Sequence, residues 1–180
     1  MRVPEHLYRQ VSRGLWQILT PVRRKIGVIC CLLWLLACQP LATNMAPNDD
    51  DKAQIVRLTL ERALLSREIP DYQLIADKSN IVLSTQHLDR AWVPELDGIK
   101  IILLDPKEIQ SKADQAGDYL YLQFRELEVQ ENGRIIVCLD NLWAVSKNST
   151  VIYLSGGGFT IEFHRENGRW VGEVTMTWIS

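Results

Sequence analysis

Residues 119–145 read YLYLQFRELEVQENGRIIVCLDNLWAV, two stretches in which apolar and polar side chains alternate. Alternation with period two is typical of half-buried β-strands. The stretches meet at Asn132-Gly133, a pair that readily adopts the positive φ of a hairpin turn. Within the first stretch the alternation changes phase at Arg125-Glu126, which predicts a β-bulge. The region therefore predicts two long antiparallel strands, one of them bulged.

The same pattern continues to the C-terminus. Residues 151–164 and 169–179 predict two further strands, joined by a second Asn-Gly pair at Asn167-Gly168. Side-chain parity assigns to one face Val151, Tyr153, Phe159, Ile161 and Phe163 of the third strand, and Trp170, Val174, Met176 and Trp178 of the fourth. Four long strands joined by short turns predict an antiparallel meander.

Helical and short extended segments precede this meander. Apolar residues at helical spacing predict a helix that begins near Asn48 and ends before Pro70. Residues 80–83 and 99–104 predict short strands. Asp105-Pro106-Lys107-Glu108 predicts the start of a second helix, with a capping Asp, a first-turn Pro and a Glu that reaches back, and Gly117 predicts its end.

The N-terminal segment carries an export pattern. Arg23-Arg24-Lys25 precedes the uncharged, mostly apolar residues 26–37, and a small residue, Ala37, comes before Cys38. A basic cluster, a short apolar stretch and a small residue before a cleavage site are typical of a secretory signal. As a helix, this stretch would rise about 18 Å, less than the ~30 Å hydrocarbon core of a membrane. A single helix anchored in the inner membrane remains the alternative, and it would have to run through Gln39 and Pro40.

Leu35-Leu36-Ala37-Cys38 resembles the lipobox of bacterial lipoproteins. The resemblance implies that Cys38 receives a diacylglycerol thioether, that the chain is cut before it and that the new amine is acylated. Several acyl chains anchor a protein stably. With Gln39 rather than Asp after the Cys, the segment resembles that of family members sent to the outer membrane. This resemblance implies a domain facing the periplasm. The 25 residues before the apolar run are long for such a signal, and we interpret them as a mis-set start, with initiation near Val11 or Val22.

Three regions follow from these patterns: a signal segment over residues 1–38, a tether over 39–51 and one α+β domain over 52–180. Helices followed by a long meander that closes on Gly168-Arg169-Trp170 are similar to the NTF2-like fold. The resemblance implies N-terminal helices packed on a four-stranded antiparallel sheet that curls into a cone. It brings no catalytic motif, because members of that fold include enzymes, binding modules and assembly domains.

Charge and composition exclude some partners. Residues 1–38 hold six of the 20 basic and one of the 22 acidic residues, which leaves residues 39–180 with 14 basic and 21 acidic residues and a net charge of −7. An acidic body repels phosphate backbones, so no nucleic acid is expected. The two histidines after the signal, His87 and His164, form no metal-binding motif, and no metal or cofactor is expected. Cys138 lies in an apolar run and is predicted to be a buried small hydrophobe.

The candidate site lies on the predicted sheet. Asn141 shares parity with Trp143, and Tyr153 and Trp178 fall on comparable faces of neighbouring strands. In a curled sheet these four residues would line a pocket of aromatic and polar groups, the usual form of a ligand site, or they would simply be core residues. Asp140 points to the other face and would need a partner there if buried. The glycines of residues 156–158 predict a bend or a close backbone approach rather than a phosphate loop.

These patterns favour a membrane-anchored envelope lipoprotein whose soluble domain binds a small hydrophobic ligand or an envelope protein without catalysis. Two alternatives remain: an NTF2-like enzyme that acts on a small hydrophobic molecule, and a structural subunit that associates with itself. The catalytic residues, the ligand, the oligomeric state and the membrane leaflet of the anchor do not follow from the residues.

Overall fold

The computed structural model of the chain describes residues 46–153 and 156–179. In chain order its main elements are α1 (Asp49–Leu60), β1 (Asn80–Ser84), β2 (Lys100–Leu104), α2 (Pro106–Ala116), β3 (Tyr119–Val129), β4 (Ile135–Ala144), β5 (Gly157–Glu166) and β6 (Arg169–Ile179). A π-helical turn, Glu61–Leu65, continues α1. Short 3₁₀ turns occur at Tyr72–Leu74 and Arg90–Trp92.

All six described strands belong to one mixed sheet, in the order β2-β1-β3-β4-β5-β6. β1 pairs in parallel with β2 along its whole length, whereas it is in register with β3 at the single pair Leu83–Leu122. β3 to β6 pair antiparallel in succession. The sheet therefore has a parallel half and an antiparallel half that meet along the β1–β3 seam.

Each α-helix covers a different face of the sheet. α1 places Ile55, Val56 and Leu60 against one face, which supplies the large core that includes Leu122, Phe124, Leu139, Phe159 and Ile161. α2 places Ile109 and Ala113 against Val82 and Ala144 on the other face, where Tyr119 and Tyr121 pack beside them. β1 and β2 are thus covered on both faces, while no described helix covers the second face of β5 and β6.

Local sequence signals explain where both helices begin. Asn48 caps α1, and its side chain accepts a hydrogen bond from Asp51 N at 2.8 Å while the Asp51 carboxylate accepts one from Asn48 N at 3.1 Å. Asp105 and Glu108 form the corresponding capping box of α2, as predicted. Such reciprocal bonds satisfy amide groups that have no partner inside the helix. Gly117, with a φ of 92°, ends α2 as predicted.

The predicted fold class is wrong. An NTF2-like α+β fold would place N-terminal helices over a curved four-stranded meander, but β1 and β2 extend the sheet to six strands, and α2 lies between strands in the chain. The four predicted meander strands do pair in the predicted order. The short strands predicted at residues 80–83 and 99–104 are present, but the sequence pattern does not predict that they join the meander in one sheet. Their continuous apolar runs are typical of strands covered on both faces.

Two details of the meander also differ from the prediction. The third strand begins at Gly157 rather than near residue 151, so Val151 and Tyr153 lie outside it. The predicted bulge at Arg125 is confirmed by a register shift between Phe124 and Glu126. A second register shift leaves Thr175 without a partner in the β5–β6 ladder and reverses the parity of β6 beyond it. Met176 and Trp178 therefore do not share a face with Trp170 and Val174.

Candidate functional site

A cleft of about 190 Å³ opens along the seam where β1 separates from β3. Its lining comes from both faces of the sheet and from the segment that precedes β1. Apolar side chains make most of its wall: Ile75, Ile81, Val82, Leu120 and Leu122. Ala76, Asp77 and Lys112, all exposed, line it as well. Apolar walls with a few polar groups are the usual composition of a small-molecule site.

Hydrogen bonds hold the outer wall of the cleft in place. The Asp77 carboxylate accepts bonds from Ser79 N at 2.9 Å and from Asn80 Nδ2 at 2.8 Å. The bond from the Asn80 side chain contributes most to lowering the pKa of Asp77, and the nearby positive charge of Lys112 adds to the effect. The Lys78 ammonium donates to Ile75 O at 2.9 Å. The wall is therefore formed in advance, which reduces the entropy lost when a ligand binds.

Asn141 is the buried polar residue of the cleft lining. Its exposed fraction is 0%, and its Nδ2 donates to Pro70 O at 3.0 Å. This contact fixes the orientation of the amide, because the flipped amide would place two oxygens together. Asn141 Oδ1 then has no hydrogen-bond partner among the described residues. A buried carbonyl without a partner costs roughly 1–3 kcal/mol.

Two tyrosines form the side of the cleft next to α2. The Tyr119 hydroxyl donates to Ile109 O at 3.0 Å, which ties the start of β3 to α2. Burial, with a smaller effect of Tyr121, raises the pKa of Tyr119 to about 12. Burial and the charge of Asp140 raise the pKa of Tyr121. Both phenols stay protonated at neutral pH, so they offer polar contacts rather than a base.

Of the four residues predicted to share a pocket, the structure brings Trp143 and Tyr153 together. Their rings stack with centroids 3.9 Å apart and an interplanar angle of 17°. The Tyr153 hydroxyl donates to Asp118 Oδ2 at 2.8 Å, and Asp118 also accepts a bond from Ser146 N. The pair fastens the loop before β5 onto the start of β3. Neither ring lines the cleft that contains Asn141.

Trp178, the fourth predicted residue, lies on the face opposite to Asn141. It pairs with Gly158, and residues directly opposite each other in an antiparallel ladder share a face. A Cβ on Gly158 would lie 2.5 Å from the Trp178 ring and 2.8 Å from Asp140 Oδ1. The predicted close approach at these glycines is therefore confirmed. Ser155 lies outside the described residues.

Asp140 has the partner on this second face that its burial requires. Its side chain is 9% exposed, and Arg125 Nε lies 3.6 Å from Asp140 Oδ2. The guanidinium also stacks over the Trp178 ring, 4.7 Å from its centroid. Burial raises the pKa of Asp140 despite the opposing effect of Arg125. Asp140 Oδ1 has no hydrogen-bond partner within the described part of the chain.

The remaining predicted residues are placed as follows. Cys138 is buried, as predicted, with Sγ 3.1 Å from Thr160 Oγ1. His87 is exposed, and His164 lies 2.9 Å from a carboxylate oxygen of Glu166.

Within residues 46–153 and 156–179 no group of three His, Cys, Asp or Glu could hold a metal ion. In the same ranges no helix combines the length and apolar character needed to cross a membrane. Cys38 and the predicted signal lie outside the described residues.

A second, more open cavity of about 310 Å³ lies between the end of α1 and β6. Arg62, one of its lining residues, donates to Gly172 O at 3.0 Å and forms an ion pair with Glu68. The guanidinium of this cavity is thus already engaged. The seam cleft, which is more enclosed and has a mostly apolar wall, is the better candidate for binding.

Sequence reasoning found Asn141 but missed Tyr119, Tyr121 and the 75–82 segment. The two tyrosines alternate with Leu120 and Leu122, which indicated a strand but not a cleft. The cleft exists because β1 joins β3 through a short parallel contact, and no local pattern specifies that pairing.

Comparison of the chain with protein-family models, curated proteins and solved structures finds no match.

Proposed function

We propose that this chain is an exported bacterial lipoprotein, anchored through Cys38, whose domain binds a small, mainly apolar molecule without chemical conversion. The anchoring rests on Leu35-Leu36-Ala37-Cys38 at the end of an apolar run. Gln39 favours the outer membrane, with the domain facing the periplasm. Asn48, the cap of α1, follows Cys38 by ten residues, so a short tether connects the anchor to the domain.

The observation that carries the binding function is the preformed cleft at the β1–β3 seam, whose wall is mostly apolar and includes the buried residue Asn141. The titratable groups of the cleft favour binding over catalysis. Tyr119 and Tyr121 have raised pKa values, and Asp77 is held as a carboxylate by its hydrogen bonds. A general acid or base at neutral pH needs a pKa near 7, and these groups are shifted away from it.

The anchor is tested by the intact mass of the full chain isolated from bacterial membranes. We expect the wild-type protein to begin at Cys38 and to carry added acyl groups, and Cys38→Ala to lose both processing and acylation. Cys138→Ala is the matched control, because Cys138 is buried in the domain and should leave the mass of the anchor unchanged. A wild-type chain that retains residues 26–38 would instead indicate an N-terminal helix anchor, and the lipoprotein proposal would be withdrawn.

A further inference from the structure

Among the six described strands, β6 forms one edge of the sheet and β2 forms the other. β2 has five residues, whereas β6 has eleven. A long edge strand presents a row of unpaired backbone groups and is a template for pairing with another chain. The register shift at Thr175 interrupts this edge, so residues 169–174 are its regular part. A further strand would therefore pair along residues 169–174.

The turn before β6 decides which backbone groups point outward. Both residues of Asn167-Gly168 have positive φ, which is typical of a two-residue type I′ turn. Such a turn is closed by a hydrogen bond between its flanking residues, so the backbone groups of Arg169 point toward β5. Because this direction alternates along a strand, those of residues 170, 172 and 174 point outward. Arg62 donates to Gly172 O at 3.0 Å, which agrees with an outward carbonyl, and a carbonyl oxygen has a second lone pair to offer.

The side chains of β6 are self-complementary about Val171. Arg169, Val171 and Glu173 share the face that no described helix covers, and all three are exposed. When two copies of β6 pair antiparallel with Val171 opposite itself, Arg169 of each copy lies opposite Glu173 of the other. Opposite charges at such cross-strand positions stabilise a sheet. On the other face Trp170 lies opposite Gly172, so no two large side chains meet.

Neither of these two charges has an ion-pair partner within one copy, among the residues that the structure describes. Glu173 lies opposite another carboxylate, Glu162, which is paired with Arg134. Arg169 and Glu173 are four residues apart on one strand, a rise of about 13 Å, so they cannot reach each other. Like charges directly opposite each other are destabilising, and a cation brought to Glu173 by a second copy relieves this repulsion.

The place where the chain enters the domain is compatible with such a pair. Two strands that pair antiparallel in one sheet are related by a two-fold axis perpendicular to it, so both copies present the same face on the same side. Asp51, in the first turn of α1, accepts a bond from Trp170, the neighbour of Val171. Both proposed tethers therefore leave beside the axis on one side. Two chains anchored in one membrane can pair in this way, and anchoring raises their effective concentration.

We propose that this chain forms a two-fold symmetric dimer in which residues 169–173 of β6 pair antiparallel with the same residues of a second copy, with Val171 at the axis. The sheet continues through both copies. This surface is separate from the cleft between β1 and β3, so the inference goes beyond the proposed binding function and does not depend on it. Five residue pairs form a small interface, so the dimer is expected to be weak.

Exchange of charges tests both the partner and the register. The full chain, purified in detergent, is examined by sedimentation velocity from low to high micromolar concentration. We expect the wild-type protein to dimerise. Arg169→Glu and Glu173→Arg should each raise the dissociation constant at least tenfold, because each places like charges opposite each other twice. The double variant Arg169→Glu/Glu173→Arg restores both pairs in reverse and should dimerise within about threefold of the wild-type protein.

A mixture of the two single variants separates a lost contact from a damaged fold. In a mixed dimer, each changed residue lies opposite a residue of the other sign. The two variants should therefore associate with each other within about threefold of the wild-type affinity, although neither associates well with itself. Glu131→Arg is the matched control, since it makes the same change of charge at an exposed position in the β3–β4 turn and should leave association unchanged.

Three outcomes would overturn the inference: a wild-type chain that stays monomeric at high micromolar concentration, a dimer that either single variant leaves intact, or single variants that do not associate with each other. The detergent contribution is the same for all variants, because the substitutions lie far from the proposed anchor. The mass of the Cys38 anchor is measured separately, so failure of the lipoprotein proposal is recognised independently.

Discussion

At the scale of single residues, Asp140 shows how burial and charge oppose each other. Its carboxylate lies on the same face of the sheet as Trp178, and Arg125 approaches one oxygen without reaching hydrogen-bond distance. The cost of removing the charge from water exceeds the attraction of Arg125, so the pKa of Asp140 is raised. The native state therefore prefers the protonated acid more strongly than the unfolded chain does.

The direction of this shift predicts the pH dependence of stability. An acid with a raised folded-state pKa stabilises the fold below its unfolded-state pKa, near 4, and this contribution disappears as the pH rises through the folded-state pKa. Asp140→Asn has no such titration. We therefore expect the variant to gain stability relative to the wild-type protein between pH 3 and pH 7, measured as the free energy of unfolding in urea.

Asp97→Asn is the control for this comparison, because Asp97 is exposed in the loop before β2. It should follow the wild-type curve within about 0.5 kcal/mol. If the difference between Asp140→Asn and the wild-type protein does not change with pH, or changes in the opposite direction, the assignment of a raised pKa to Asp140 is wrong.

At the scale of elements, one carboxylate links the start of α1 to the sheet. The Asp51 carboxylate completes the capping box of α1 by accepting a bond from Asn48 N. It also accepts a bond from Trp170 Nε1 at 2.9 Å and forms an ion pair with Arg165. Burial raises the pKa of Asp51, but the bonds from Trp170 and Asn48 and the charge of Arg165 together lower it below its usual value. The same residue therefore stabilises the first turn of the helix and fastens it to the β5–β6 hairpin.

Replacement of this carboxylate should loosen both connections. We expect Asp51→Ala to reduce the free energy of unfolding by about 2 kcal/mol, since charge-assisted hydrogen bonds and a helix cap are lost together. Asp50→Ala, one residue earlier in the same first turn but exposed, should cost less than about 0.5 kcal/mol. Urea unfolding of the two variants measures the difference, and equal losses would contradict the role of Asp51 in docking.

At the scale of the whole domain, the two halves of the sheet are joined unequally. The ladders that join β3, β4, β5 and β6 have seven to ten residue pairs each, whereas β1 and β3 are in register at the single pair Leu83–Leu122. α2 bridges the halves through Ala113, Val82 and Ala144. Regions with fewer paired groups open at lower free energy than the most extensively paired core.

Hydrogen exchange should detect this inequality. We expect the amides of β1 and β2 to exchange at least tenfold faster than those of β4 and β5 under native conditions, because the parallel half can open while the antiparallel half stays paired. A change that weakens the seam, Leu83→Ala, should accelerate exchange in β1 more than in β5. Uniform protection across all six strands would show that the sheet opens only as one unit.

Much of the local structure followed from short sequence signals. The caps at Asn48 and Asp105, the Asn-Gly hairpins and the bulge at Arg125 depend on backbone dihedral preferences and on hydrogen bonds between near neighbours. The second bulge, at Thr175, has no comparable signal. It placed Trp178 beside Asp140 instead of beside Asn141, so the predicted set of pocket residues is divided between two faces.

The sequence by itself determined the order and approximate limits of the helices and most strands, the acidic character of residues 39–180 and the lipobox-like segment that motivates the proposed anchor. Tertiary structure alone decided that β1 and β2 join the meander in parallel and that a cleft opens at their seam. The physical reason is the separation, along the sequence, of the residues that interact. Turns and caps are stabilised by residues three or four positions apart, whereas the seam joins Leu83 to Leu122, and its cleft depends on the packing of α2 and residues 75–82 around that contact.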